Sequence, residues 1–256
     1  MTLKSSHELP QLPRHLKIWL AITSLAFICF VGICIYAWLQ SEDLPVPRSE
    51  TARLSKTNPY LFDVVLVDGA VLEKSEIADM VRPLRMVLQR RLPGQPYHAR
   101  IAVYGAGLPL SINAERAVAG FLQSEDSFFV DLRTLRSHKP LPGTRAQWWG
   151  VFMGHEAMHF IQKARGDRML GGSRGDAYDT DPEELEAARE GASVANSLGI
   201  QVSWAFAGTP LKSEHPVVYW PYALASTPDA IRVSTATTRR GTIVRSWARL
   251  KALLFR

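Results

Sequence analysis

The chain has 256 residues, enough for one folded domain with an appendage. An apolar share of 46% with 21% charged residues excludes both a disordered chain and a protein that crosses the membrane many times. The net charge of +6 does not indicate nucleic-acid binding. Arg232, Arg239, Arg240, Arg245, Arg249, Lys251 and Arg256 cluster near the C-terminus without any nucleic-acid-binding motif.

Residues 1–17 form a polar tail. From Ile18 to Leu39 the sequence IWLAITSLAFICFVGICIYAWL runs for 22 residues without a charge, long enough to span a hydrocarbon core of about 30 Å. Trp19, Tyr36 and Trp38 lie near its ends, where aromatic rings favour the headgroup level. A cleavable signal peptide would have a shorter core and small residues at its exit, whereas Tyr36, Trp38 and Leu39 are bulky. The expectation is a retained single-pass anchor contacting membrane lipid. Arg14 and Lys17 precede the span while Glu42 and Asp43 follow it, which favours an extracytoplasmic domain. Both cysteines, Cys29 and Cys34, lie inside the span, so no disulfide framework holds the domain.

Residues 40–59, with Pro45, Pro47 and Pro59, read as a stalk, and 60–256 as one domain. YLFDVVLVD (60–68), HARIAVYG (98–105) and SFFVDLRTL (127–135) are strand candidates, rich in β-branched and aromatic residues. Glu73 to Leu92 has helical spacing, with Pro83 expected to kink it or end its first half. Arg145 to Arg165 is a long helix candidate. Asp181 is a natural N-cap and Pro182 a natural first residue for another, running to about Leu198. A final helix is expected from Ile243 within the basic segment at about 231–256. There Ile243, Trp247, Leu250 and Leu254 form a stripe opposite Arg245, Arg249 and Lys251, fit for packing on the domain or for lying on anionic lipid. A few strands among long helices give a mixed α+β class.

Within the first long helix stands His155-Glu156-Ala157-Met158-His159. Histidines at i and i+4 share a helical face and can hold one metal, while the Glu between them is placed to take a proton from water. Trp148, Trp149, Val151, Phe152, Met153, Met158, Phe160 and Ile161 make this helix apolar almost all round, hence buried. Three ionisable groups on a buried helix are costly unless paired or ligated. The competing reading is a hydrogen-bonded pair of core histidines with a salt-bridged Glu.

Catalytic zinc usually has three protein ligands and one open position. A third histidine six residues after His159 is ruled out, because Arg165 stands there. In DPEELEAARE (181–190), Glu184 shares a face with Ala187, Ala188, Gly191, Ala195 and Leu198, a small inward side. Glu186 lies with Arg189, Glu190 and Ser193 on a face that reads as solvated. Glu184 is therefore the preferred ligand, with a capping-box role as its alternative.

HEAMHFIQ (155–162), Tyr178 and PEELEA (182–187) together resemble the gluzincin class of zinc metallopeptidases, in particular compact bacterial membrane-anchored ones. The likeness covers about forty residues. It implies a zincin-like domain with a small sheet, one zinc ion on His155, His159 and Glu184, and hydrolysis of a peptide or protein by zinc-activated water with Glu156 as general base. Many relatives carry Asp four residues after the ligand Glu, where this chain has Ala188. Asp176, Asp179 and Asp181 are candidates for orienting a ligating histidine instead. His215, Tyr219 and Tyr222 are candidates by residue type for stabilising the oxyanion, and 127–135 for presenting a strand edge to substrate. Two other functions fit less of the pattern: a non-catalytic membrane protein with a structural zinc site, and a membrane-surface interaction protein using the basic C-terminus.

Overall fold

The computed structural model describes residues 13–41, 60–109, 112, 117–137, 145–167, 181–199, 204–205, 209–210 and 230–254. Helix α1 (Arg14–Gln40) carries the apolar run and buries none of its residues. It is the one described helix long and apolar enough to cross a membrane. The domain that follows is mixed α/β. Its elements are β1 (Tyr60–Val67), α2 (Lys74–Arg91), β2 (Tyr97–Tyr104), β3 (Ala119–Leu122), β4 (Ser127–Asp131), α3 (Leu132–Ser137), α4 (Arg145–Arg165), α5 (Pro182–Ser197), β7 (Ala230–Ala236) and α6 (Arg239–Leu254). Between α5 and β7, β5 (Trp204–Ala205) and β6 (Thr209–Pro210) form a separate small ladder.

The main sheet has the order β3-β4-β2-β1-β7. β4, β2, β1 and β7 are parallel, and β3 alone runs antiparallel, on the β4 edge. Phe62, Val64, Ile101, Val103, Phe128 and Val130 face α2, α4 and α5 in the larger core. Val65, Val67, Ala102, Tyr104 and Phe129 form a smaller cluster on the opposite face. This is the alternation that a pleated strand imposes.

Pro83 does not end α2, which continues to Arg91 with Pro83 buried inside it. Burial of Met80, Val81, Leu84, Val87 and Leu88 on the same helix outweighs the one backbone hydrogen bond proline removes. The candidate strand at 127–135 ends at Asp131. Its Oδ1 accepts from the backbone N–H groups of Arg133 (2.9 Å) and Thr134 (3.2 Å), which turns the chain into α3. β4 is also interior, so it offers no edge; among the described residues the edge strands are β3 and β7, and β3 is the one beside β4. The last helix starts at Arg239 rather than Ile243. Of the stalk expected at 40–59, Gln40 belongs to α1 and Ser41 caps it, and 42–59 lie outside the described residues.

Candidate metal centre

Helix α4 packs against β3 and against the helices α2 and α5. Its residues Trp149 to His159 are all buried, as its apolar circumference requires. Close approach of α5 is made possible by small residues. Gly150 of α4 faces Ala195, Gly154 faces Gly191 and Val194, and a Cβ on Gly191 would stand 2.5 Å from the carbonyl oxygen of Val151. Asp181 caps α5 by accepting the Glu183 N–H (2.9 Å), and Pro182 opens the helix. The first turn of α5 is thereby set against His155 and His159.

His155 and His159 project from successive turns with their rings nearly perpendicular, at 82°. Their Nε2 atoms lie 2.8 Å apart, and Glu184 Oε2 lies 3.3 Å from His155 Nε2 and 3.4 Å from His159 Nε2. Donors bound to tetrahedral zinc at about 2.0–2.1 Å stand about 3.3–3.4 Å from one another. Both histidine–glutamate edges match that separation, and the histidine–histidine edge is shorter. A hydrogen-bonded core pair would require only two groups to meet. Here the two imidazoles stand at hydrogen-bonding distance and Glu184 meets both, so three side chains of metal-ligating type converge in a group that could hold a metal ion.

Electrostatics favour a cation at that point. Burial alone would raise the Glu184 pKa, but hydrogen bonds and charge from both histidines hold it well below the carboxylate range. Burial, with the charge on His159, pushes His155 down to about 3. Burial also opposes charge on His159, yet Glu184, Glu156 and Gln162 outweigh it and raise this group to about 9. A positive charge between the imidazoles and Glu184 is thus stabilised even when carried by a proton.

Glu156 is buried beside the triangle, with Oε1 4.0 Å from His155 Nε2. Burial pushes its pKa up to about 7, against the lowering effects of His159 and of a hydrogen bond from the Phe121 backbone in β3. A general base works best with a pKa near the operating pH.

Glu186 contributes no ligand atom to the group. Its carboxylate pairs with Arg165 (3.1 Å) and accepts from Gln162 Nε2 (3.2 Å). The face it shares is not solvated as the sequence implies. Glu190 and Ser193 are buried, because α5 also packs on α2, where Glu190 pairs with Arg91. Of the carboxylates expected to orient a histidine, Asp181 serves as the cap, while Asp176 and Asp179 lie outside the described residues. His215, Tyr219 and Tyr222 lie outside them too. The group against His159 Nδ1 is Gln162, fully buried and 2.8 Å away through Oε1. Sequence reasoning missed this role, although a residue at i+3 from His159 shares its helical face. No protein-family model, curated protein or solved structure matches the chain, so its functional reading stands on the geometry of these four residues and Gln162.

Proposed function

We propose that the protein is a membrane-anchored zinc metallopeptidase of the gluzincin kind, with a zincin-like domain held on the extracytoplasmic side by α1. The observation that carries this reading is the convergence of His155 Nε2, His159 Nε2 and Glu184 Oε2 beside a buried Glu156. Two imidazoles and a carboxylate suit zinc, and three protein ligands leave one coordination position open, as in catalytic rather than structural sites. Both cysteines lie in α1, so the domain has no thiolate to close the site as a structural one.

When bound, zinc supplies a Lewis acid and lowers the pKa of water toward neutrality. The protein's own groups do the rest. Glu156 accepts a proton from the attacking water and returns it to the leaving amine. The hydrogen bond from Phe121 aims its carboxylate. The same contact brings β3, an edge strand among the described residues, alongside Glu156, and an extended peptide adding to that edge would pass Glu156.

The test is metal analysis of the purified full chain in detergent, with cleavage of an unstructured protein measured before and after chelation. About one zinc per chain, with hydrolysis lost on chelation and restored by zinc, is expected. Bound zinc without hydrolysis of any substrate would instead favour a structural metal site.

A further inference from the structure

Helix α6 is poorly explained by the domain that carries it. Its start is fixed. Asp68, at the end of β1, accepts the Thr238 N–H at 2.8 Å, and Thr238 Oγ1 accepts the Gly241 N–H at 2.9 Å. Gly241 sits so close to the Asp68 carboxylate that no Cβ would fit. Beyond this root, Val244 through Arg249 and Lys251 are all exposed, with Val244 at 54% and Trp247 at 66%. Val244 and Trp247 thus lie exposed near each other on a helix whose last turn carries Lys251.

Two observations identify what this face meets. The first is charge: from Ala230 onward the chain contains seven arginine or lysine residues and no Asp or Glu. The second is position. At the first residue of α6, Arg239 donates from Nη1 to the Trp38 carbonyl oxygen (2.7 Å) and to Ser41 Oγ (3.2 Å). Its guanidinium lies over the Trp38 ring, 4.9 Å from the centroid. Trp38 and Ser41 are at the end of α1 nearest the domain, where a tryptophan marks the headgroup level. The root of α6 therefore sits where the span would leave the bilayer.

We propose that α6 is an interfacial helix, seating its Trp247 face in the headgroup region of an anionic phospholipid bilayer beside the exit of α1. At 100° per residue, Ile243 and Trp247 share this face, and Arg240, Lys251 and Val244 line one side of it. Lys251 therefore borders the stripe instead of opposing it as the sequence implies, while Arg245 and Arg249 point away. Apolar and aromatic side chains bordered by cations, with further cations on the far face, are the composition of helices that lie on anionic membranes. The domain is thereby held to one membrane at two places, α1 and α6. This inference rests on α1 being a span, but not on the peptidase activity.

The test uses the full chain with Cys29 and Cys34 replaced by Ser and one spin label, at Trp247→Cys or at Arg245→Cys. Both positions are exposed, so neither label disturbs the core. The protein is reconstituted in vesicles of phosphatidylcholine with phosphatidylglycerol, or of phosphatidylcholine alone. In the anionic vesicles the label at 247 should be several-fold less accessible to a water-soluble nickel chelate than the label at 245, and more accessible to oxygen. That contrast should shrink in phosphatidylcholine alone and when Arg249→Glu and Lys251→Glu are combined. Equal exposure of the two labels, in a chain that still resists carbonate extraction, would overturn the inference and leave the span intact. Shielding at 247 that ignores lipid charge and rises with protein density would overturn it in favour of a contact between copies. Release of the chain by carbonate would remove the span itself, and the inference with it.

Discussion

Gln162 Oε1 lies 2.8 Å from His159 Nδ1, and the same carboxamide donates through Nε2 to the Glu183 carbonyl (2.8 Å) and to Glu186 Oε2 (3.2 Å). Two acceptors on one side of the amide fix its orientation. The oxygen must then face the histidine, which keeps the proton on Nδ1 and leaves the Nε2 lone pair for a metal. Gln162 thus joins the turn of α4 that carries His159 to the first turn of α5. Removing such an orienting partner typically costs about 10–100-fold in metal affinity. Gln162→Met, which keeps the volume and loses the acceptor, should weaken zinc binding by that factor in competition with a chromophoric chelator. Unchanged affinity would show that packing alone orients His159.

The helix pair makes a second prediction. Gly191 packs against the backbone of α4 at Val151 and His155, with no room for a methyl group. Gly191→Ala must push α5 outward, and Glu184, two turns earlier on the same helix, moves with it. Overpacking of this kind typically costs about 1–3 kcal/mol. The melting temperature and the zinc affinity should both fall. A stable variant with unaltered zinc affinity would mean that Glu184 is placed independently of the α4–α5 contact.

Glu184 and Glu186 are separated by what each touches. Among the described residues only the Glu184 carboxylate reaches both histidines, so Glu184→Ala should severely reduce zinc stoichiometry. His155→Ala or His159→Ala should abolish it. Glu186→Ala breaks a pair with Arg165 in which both side chains are more than a third exposed, a contact worth about 0–1 kcal/mol. It also frees one of the two acceptors of Gln162, so only a mild loss of affinity is expected. A larger loss from Glu186→Ala than from Glu184→Ala in the same zinc titration would overturn the ligand assignment.

The site was legible in the sequence to the extent that its rules are local. An i, i+4 histidine pair on an all-round apolar helix, and Asp181-Pro182 opening another, depend only on neighbours in the chain. What was missed depends on partners far away. β3 is four residues, AGFL, and is a strand only because Gly120 and Phe121 pair with Phe129 and Phe128. β7 lies beside β1 through pairings such as Leu61 with Ala230, which no local pattern announces. The face bearing Glu190 read as solvated because its counterion, Arg91, comes from α2, ninety-nine residues away. Gln162 carried no charge to mark it, and its partners belong to a helix that begins twenty residues later.

Acid should weaken the sheet at a different place. Asp63 of β1 is buried and takes hydrogen bonds from Arg232 of β7 (2.5 and 2.7 Å) and contacts His98 of β2 (2.5 Å). Burial alone would raise its pKa, but these partners hold it below the ordinary value of about 3.9. A group depressed in the folded state adds stability above its unfolded pKa and loses it as pH falls through the folded one. Asp63→Asn should therefore destabilise the protein at pH 7, by about 1–3 kcal/mol in denaturant unfolding. The gap from wild type should narrow below about pH 4. A gap that stays constant down to acid would exclude the ion pair as its source.

The decisive prediction concerns Glu156, which lies beside the three converging atoms of His155, His159 and Glu184 without belonging to them. Its Oε1 is 4.0 Å from His155 Nε2, and its carboxylate is held by the Phe121 backbone of β3. Glu156→Gln preserves shape, and an amide oxygen can still accept that backbone hydrogen bond. Zinc content and thermal stability should then stay close to wild type. The amide cannot take a proton from the attacking water, and loss of a positioned general base typically costs about 10²–10⁴-fold in rate. Both quantities are to be measured on the same full-chain preparations in detergent, zinc by elemental analysis and cleavage with a broad peptide library. Retained zinc with cleavage reduced to that degree is the result expected of a peptidase. Equal cleavage in both proteins would remove Glu156 from the chemistry, and absence of cleavage in both, with zinc bound, would make His155, His159 and Glu184 the ligands of a structural ion.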